Sequence, residues 1–125
     1  MSDDVLIDVS RETMALLKQL RTLVEKWNKS INLISKSTVP DMWNRHIIDS
    51  AQIFYARKKS FKKWLDMGSG AGFPGLVVAI LAQDKNINGE IVLVESDRRK
   101  CAFLSTVKRE LNLKISIINL SLIHI

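Results

Sequence analysis

Asp66-Met67-Gly68-Ser69-Gly70-Ala71-Gly72-Phe73-Pro74-Gly75 gathers a carboxylate, three closely spaced glycines and a Phe-Pro-Gly exit into one short stretch, and Glu95 follows Asp66 by 29 residues. Such residues do chemistry by holding a ligand rather than by attacking one. Without a Cβ, Gly68 and Gly70 can take positive φ and let a bulky molecule approach their amides, and a side chain at either would stand where that molecule belongs. Placed at the carboxyl ends of adjacent parallel strands, Asp66 and Glu95 would flank the crevice where such folds bind ligands, and an acidic residue at Glu95 can accept hydrogen bonds from both hydroxyls of an adenosine ribose.

Several cofactors carry that ribose. Gly70 to Gly75 also satisfies the dinucleotide spacing G-x-G-x-x-G, so a nicotinamide or flavin enzyme is a competing reading, and a tight glycine turn without a ligand is a third. Two features favour S-adenosyl-L-methionine. A pyrophosphate needs free N–H groups at a helix N-terminus, where Pro74 removes one donor. Asp66 would repel a pyrophosphate, whereas beside a sulfonium and an ammonium its charge is favourable.

The elements that must position this loop are legible from periodicity. Met14, Leu17, Leu20, Val24, Trp27 and Ile31 recur at helical spacing behind a capping Ser10, which predicts a long first helix. Pro40 predicts the start of a second, carrying Met42, Trp43, His46, Ile47, Ser50, Ala51 and Phe54. Trp64 to Met67 reads as a strand, Pro74 to Gln83 as a helix, and Asn88-Gly89 as a turn. Ile91 to Val94 reads as a buried parallel strand, Arg98 to Leu111 as a helix with Cys101, Phe103, Leu104, Val107 and Leu111 inward, and Ile115 to Ile118 as a third strand. The fold class is therefore α/β, with three parallel strands joined by helical crossovers beneath an N-terminal helical cap.

The chain has 125 residues and a formal charge of +6, which suits one globular unit with a polyanionic partner such as RNA or DNA. Arg57, Lys58, Lys59, Lys62 and Lys63 read as a solvated basic linker, with RNA contact as the sharper alternative; Arg98, Arg99 and Lys100 read as a solvated face that could instead bind phosphates. Trp27, Trp43 and Trp64 are expected to pack rather than to stack on bases. Cys101, the single cysteine, is expected to be a buried thiol, and neither a disulfide nor a cysteine metal cluster can form around it alone. The acidic opening Met1-Ser2-Asp3-Asp4 and the short apolar run Leu76 to Ala82 predict a soluble cytoplasmic protein without a membrane span. His46 and Asp49 share a helical face. They could point together at the cleft, but the favoured expectation is structural, with the two bonding each other or capping backbone and so tying the cap to the sheet.

Trp27-Asn28 with Asn32-Leu33, Arg45-His46-Ile47-Ile48-Asp49-Ser50, Leu65 through Gly75, and Glu95-Ser96 with Lys100 and Phe103-Leu104 together resemble the bacterial small-subunit ribosomal RNA guanine-N7 methyltransferases, the glucose-inhibited division protein B family. The resemblance runs from about Leu16 to Ile118. It implies the first half of a Rossmann-like class I methyltransferase fold: a helical cap over 1–60, a partial S-adenosylmethionine-binding domain over 61–119, and a non-family tail over 120–125. It also implies cofactor contacts by Gly68 and Phe73, with Gly70, Gly72 and Asp66 in the same loop and Glu95 near the ribose. The implied substrate is one guanosine of 16S ribosomal RNA, presented as RNA or as a small-subunit particle, with no metal. Guanine N7 has no proton to lose on methylation, so positioning dominates and no catalytic acid or base is assigned. A non-catalytic RNA-binding fragment is the alternative, and the oligomeric state is left open. In the doubly wound strand order 3-2-1-4-5, the strand ending near Asp66 would be central; here one of its edges is expected to be unpaired, with weak stability and weak cofactor affinity as consequences.

Overall fold

The computed structural model describes residues 8–56, 61–68 and 70–120. Helix α1 (Arg11–Asn28) begins where Ser10, in an extended conformation, accepts the Thr13 N–H through its hydroxyl at 3.1 Å. Leu17, Leu20, Leu23 and Val24 turn inward from it. Its first turn is pinned to a distant element: Asp84 Oδ1 accepts from the Thr13 hydroxyl at 2.7 Å and from the Ser10 N–H at 3.2 Å. Ile31, predicted on the helix, lies beyond its end. Asn28 Oδ1 accepts the Leu33 and Ile34 amides at 2.7 and 2.9 Å and bends the chain, while Ile31 stays buried in the bend.

The predicted second helix is three windings in succession: a 3-10 segment over Lys36–Asp41 containing Pro40, a π-helical segment over Trp43–Ile48, and α2 (Asp49–Ala56). The segment begins four residues before Pro40, and its turns do not keep one period. π-helical turns are rare and concentrate at functional sites; this one buries Trp43 and Ile47 and carries His46.

Three parallel strands, β1 (Lys63–Met67), β2 (Glu90–Glu95) and β3 (Ser116–Asn119), lie in the order β1-β2-β3, with Met67 opposite Val94 and Val94 opposite Ile118. The crossovers are α3 (Gly75–Asp84) and α4 (Arg98–Leu111). Every residue of α3 from Gly75 to Ala82 is buried, so this helix is apolar all round and sits inside the core. The turn predicted at Asn88-Gly89 falls earlier, at Asn86, which takes φ 57°. Gly89 has a different reason to be glycine, since a Cβ there would collide with Phe61. One hydrophobic cluster joins Leu17, Leu20 and Val24 of α1, Trp43, Ile47 and Phe54 of the cap, α3, and Leu93, Phe103 and Leu104. Cap and sheet thus share a core.

Among the described residues no strand pairs with the outer edge of β1. Side chains alternate along a strand. Trp64 is accordingly buried while Leu65 and Met67, 55% and 63% exposed, flank Val92 and Val94 on the sheet face opposite α3. Lys62 and Lys63 of the basic stretch are exposed; Arg57, Lys58 and Lys59 lie outside the described residues, as do the first four residues and most of the 120–125 tail. Among the described residues no helix is long and apolar enough to cross a membrane.

Candidate cofactor site

Parallel pairing brings the ends of β1 and β2 side by side, and the hydrogen bond from Gly68 N–H to the Val94 carbonyl, at 2.8 Å, carries the ladder one residue past β1. The chain then leaves the sheet through Gly68, Gly70 and Gly72, with φ of 64°, 55° and 87°. Ser69 lies outside the described residues. A Cβ on Gly68 or Gly70 would meet no atom within 4 Å among the described residues, so both border open space there. Gly72 differs. Its Cβ would come within 2.6 Å of Leu76 Cγ and 2.9 Å of Leu104 Cδ2, so its bare Cα is what lets the loop settle on α3 and α4.

Each acidic residue holds part of this loop. Asp66 is half-buried, and its Oδ2 accepts the Gly75 N–H at 2.8 Å. Burial pushes its carboxyl above the usual carboxylate range, opposed by that hydrogen bond. A side chain on Gly75 would overlap both Leu93 and Asp66 Oδ2, so glycine there is what allows the carboxylate to reach the helix. The Leu76 N–H is taken by the Gly72 carbonyl at 2.6 Å and the Val78 N–H by the Pro74 carbonyl at 3.0 Å. Pro74, the N-cap residue of α3, contributes no side-chain cap. The Gly75 and Leu76 amides at the N-terminus of α3 are therefore taken by the chain's own carboxylate and carbonyl, where a dinucleotide would need open amides for its pyrophosphate.

Glu95 is buried at the end of β2, with Oε1 accepting from Gly70 N–H at 2.7 Å and Oε2 from Ser96 and Asp97 N–H at 3.0 and 2.9 Å. It braces the glycine loop and the turn into α4 together. A carboxylate offers about four lone-pair sites, so these three bonds leave acceptor capacity for a hydroxyl. Asp97 caps α4 by accepting Arg99 and Lys100 N–H at 2.8 and 3.2 Å. Arg98 and Arg99 are exposed and Lys100 half-buried beside it. Cys101 is a buried thiol, its pKa raised by burial and then by the charges of Glu95 and Asp97, and its S–H donates to the Glu95 carbonyl at 3.4 Å.

His46 and Asp49 are not joined by a hydrogen bond, one of the two forms that the sequence expectation allowed. The imidazole stacks instead on the Phe73 ring, with centroids 5.1 Å apart and planes 19° apart, while Asp49 is exposed and acts on it only through space. The structure thus brings Asp66, Gly68, Gly70, Gly72, Phe73 and Glu95 together at one end of the sheet and adds His46 from the cap. Sequence spacing missed this last contact and the acceptance of loop amides by both carboxylates. The helical pattern around His46 was visible, but no local signal connects it with Phe73. Trp43 and Trp64 are buried, and Trp27 packs edge-on against Phe103 at 5.7 Å, so all three serve packing. Among the described residues no cluster of three or more histidine, cysteine or acidic side chains is arranged to hold a metal.

Ribosomal RNA small subunit methyltransferase G of Cereibacter sphaeroides is 52% identical over 112 residues, covering 90% of this chain and 54% of that protein. Those of Jannaschia sp. and Bartonella tribocorum are each 51% identical, over 111 and 114 residues, covering 89% and 91% of this chain and 53% of each relative. The chain spans about half the length of these relatives. Among solved structures a human methyltransferase 10 domain containing protein has a TM-score of 0.45 at 17% identity, covering 91% of this chain and 52% of that one, and adds nothing to the assignment. The family model described as GidB, rRNA small subunit methyltransferase G, matches residues 13–122, and the chain belongs to that methyltransferase family.

Proposed function

We propose that this chain supplies the cofactor-binding part of an S-adenosyl-L-methionine-dependent enzyme that methylates N7 of a guanosine in 16S ribosomal RNA, in the cytoplasm. The observation that carries the choice of cofactor is the hydrogen bond from Gly75 N–H to Asp66. With the helix N-terminus filled by an anionic side chain, a pyrophosphate is disfavoured, and an ammonium or sulfonium near Asp66 is favoured. Open space at Gly68 and Gly70 beside a buried carboxylate suits an adenosyl group.

In this reading Glu95 accepts from the ribose hydroxyls, Asp66 faces the methionine ammonium, Gly68 and Gly70 let their backbone approach, Phe73 closes one side and Gly72 sets the turn. When bound, the cofactor supplies an electrophilic methyl group. The protein's share is to hold N7 in line with it, since the N7 lone pair carries no proton that a base must remove. The guanosine must be accessible in a loop or flipped from its stack. Arg98, Arg99 and Lys100 stand at the same end of the sheet, where cationic side chains can meet RNA phosphates.

Calorimetric titration with S-adenosylhomocysteine of this chain and of a Gly68→Asp variant tests the proposal. Heat of binding in the parent and none in a folded variant is expected. Binding of a nicotinamide cofactor in its place would overturn it. RNA binding that ignores the cofactor would instead favour a non-catalytic RNA-binding fragment, the reading to which the +6 charge lends support.

A further inference from the structure

The cap reaches the glycine loop through one aromatic contact. His46 sits in the π-helical segment Trp43–Ile48, and Phe73 sits between Gly72, at φ 87°, and Pro74, the N-cap residue of α3. Their rings lie nearly parallel, 5.1 Å apart, at a separation of 27 residues in sequence. His46 Nε2 has essentially no accessible surface and, among the described residues, no hydrogen-bond partner. A buried polar atom left unpaired is a cost that native structures accept at few places. A phenylalanine or leucine would fill the same volume without it. The wide π-helical turn is a second local cost at the same residue. Both costs fall at the residue whose ring lies on Phe73.

We infer that His46 is a positioning residue: its neutral imidazole stacks on Phe73 and holds the Gly70–Gly75 loop in the shape that receives the cofactor. For its use in catalysis the inference rests on the proposed cofactor reading, while the hold on the loop stands on the stack alone. Phe73 is flanked by the two segments whose amides the acidic residues accept, Gly70 towards Glu95 and Gly75 towards Asp66. A shift of the Phe73 backbone would be felt at both, since the chain is continuous from Gly70 to Gly75. Neutrality follows from the surroundings, because protonation puts N–H on both ring nitrogens and Nε2 has no acceptor to receive it. The charged groups that bear on the ring are Asp49, which favours protonation, and Arg45, which opposes it, both lesser influences than burial.

Hydrogen exchange at the Gly70 and Gly75 amides is the readout, measured without ligand on the parent, His46→Ala, His46→Phe and Phe73→Leu, beside S-adenosylhomocysteine calorimetry. His46→Ala is expected to speed exchange at those two amides about tenfold and to weaken binding by a similar factor, with α1 and β2 amides unchanged. His46→Phe, which keeps a flat ring, restores both. Phe73→Leu reproduces the alanine effect from the other side of the contact and decides the matter should His46→Ala not fold. Loop exchange at the parent rate in His46→Ala, or acceleration spread evenly over all elements, overturns the positioning role. Absence of S-adenosylhomocysteine binding in the parent would overturn the cofactor reading alone, since the exchange rates judge the hold on the loop independently.

Discussion

Alanine at Gly70 and at Gly72 separates a glycine that borders open space, where the proposal puts the cofactor, from one that faces the core. At Gly72 the added methyl would lie 2.6 Å from Leu76 Cγ and 2.9 Å from Leu104 Cδ2, and both leucines are fully buried. Overpacking of this kind costs about 1–3 kcal/mol. The backbone at φ 87° adds about 1–2 kcal/mol for an L side chain. Gly72→Ala should therefore lose about 2–5 kcal/mol, a large part of the roughly 5–15 kcal/mol typical of a native domain. At Gly70 the methyl meets nothing within 4 Å and only the left-handed strain at φ 55° remains, about 1–2 kcal/mol, or a midpoint shift of roughly 3–10 °C. In the proposed reading, however, the space the Gly70 methyl would fill is the cofactor's. Urea unfolding followed by circular dichroism, paired with S-adenosylhomocysteine calorimetry, should find Gly70→Ala folded but impaired in binding and Gly72→Ala damaged in folding first. Equal destabilisation of the two variants, or full binding by Gly70→Ala, would refute the division of roles.

Asp66→Asn keeps an acceptor for Gly75 N–H while removing a half-buried charge, so binding should be lost with a stability change within about 1 kcal/mol. Because burial raises the Asp66 pKa, ionisation opposes folding as pH rises through the raised value; urea unfolding from pH 4 to 7 should show the parent gaining on acidification relative to the asparagine variant, and a relative loss would contradict this. Burial, opposed by Asp49 and aided by Arg45, holds His46 below its ordinary value of 6.5, so on acidification the unfolded chain takes up the proton first. Its share of stability is present above 6.5 and is lost as pH falls through the lowered value, which thermal midpoints at pH 7.5 and 5.5 should show as a larger drop in the parent than in His46→Phe. The exposed Leu65 and Met67, on a strand whose outer edge no described strand pairs, predict concentration-dependent association, and sedimentation velocity should find it reduced in a Leu65→Lys, Met67→Lys variant.

Much of the architecture was readable in advance because it rests on local repetition. The inward spacing of Cys101, Phe103, Leu104, Val107 and Leu111 specifies α4 to its observed limits, and the apolar run Ile91 to Val94 marks the buried strand. Less was readable between Lys36 and Ala56, where periodicity suggested one helix and the chain winds in three ways. Near Ile31 it is a side chain outside the hydrophobic pattern, Asn28, that redirects the backbone. Of the two forms that the expected structural role of His46 and Asp49 allowed, a bond between them is not formed, for a related reason: helical spacing says that two side chains share a face, not which neighbour the tertiary fold presses against that face.

The cofactor loop divides in the same way. From sequence alone came the strand, the glycines, Asp66 and Glu95 at the ends of neighbouring strands, and the resemblance to the family, because a glycine-rich turn between period-two and period-3.6 segments has few other uses. Only the tertiary structure decided that Asp66 closes the N-terminus of α3, that Glu95 braces Gly70, that Gly72 serves the core while Gly68 and Gly70 border open space, and that His46 rests on Phe73. Those relations join segments distant along the chain, and their distances are set by how the shared core packs, a property that no stretch of sequence holds by itself.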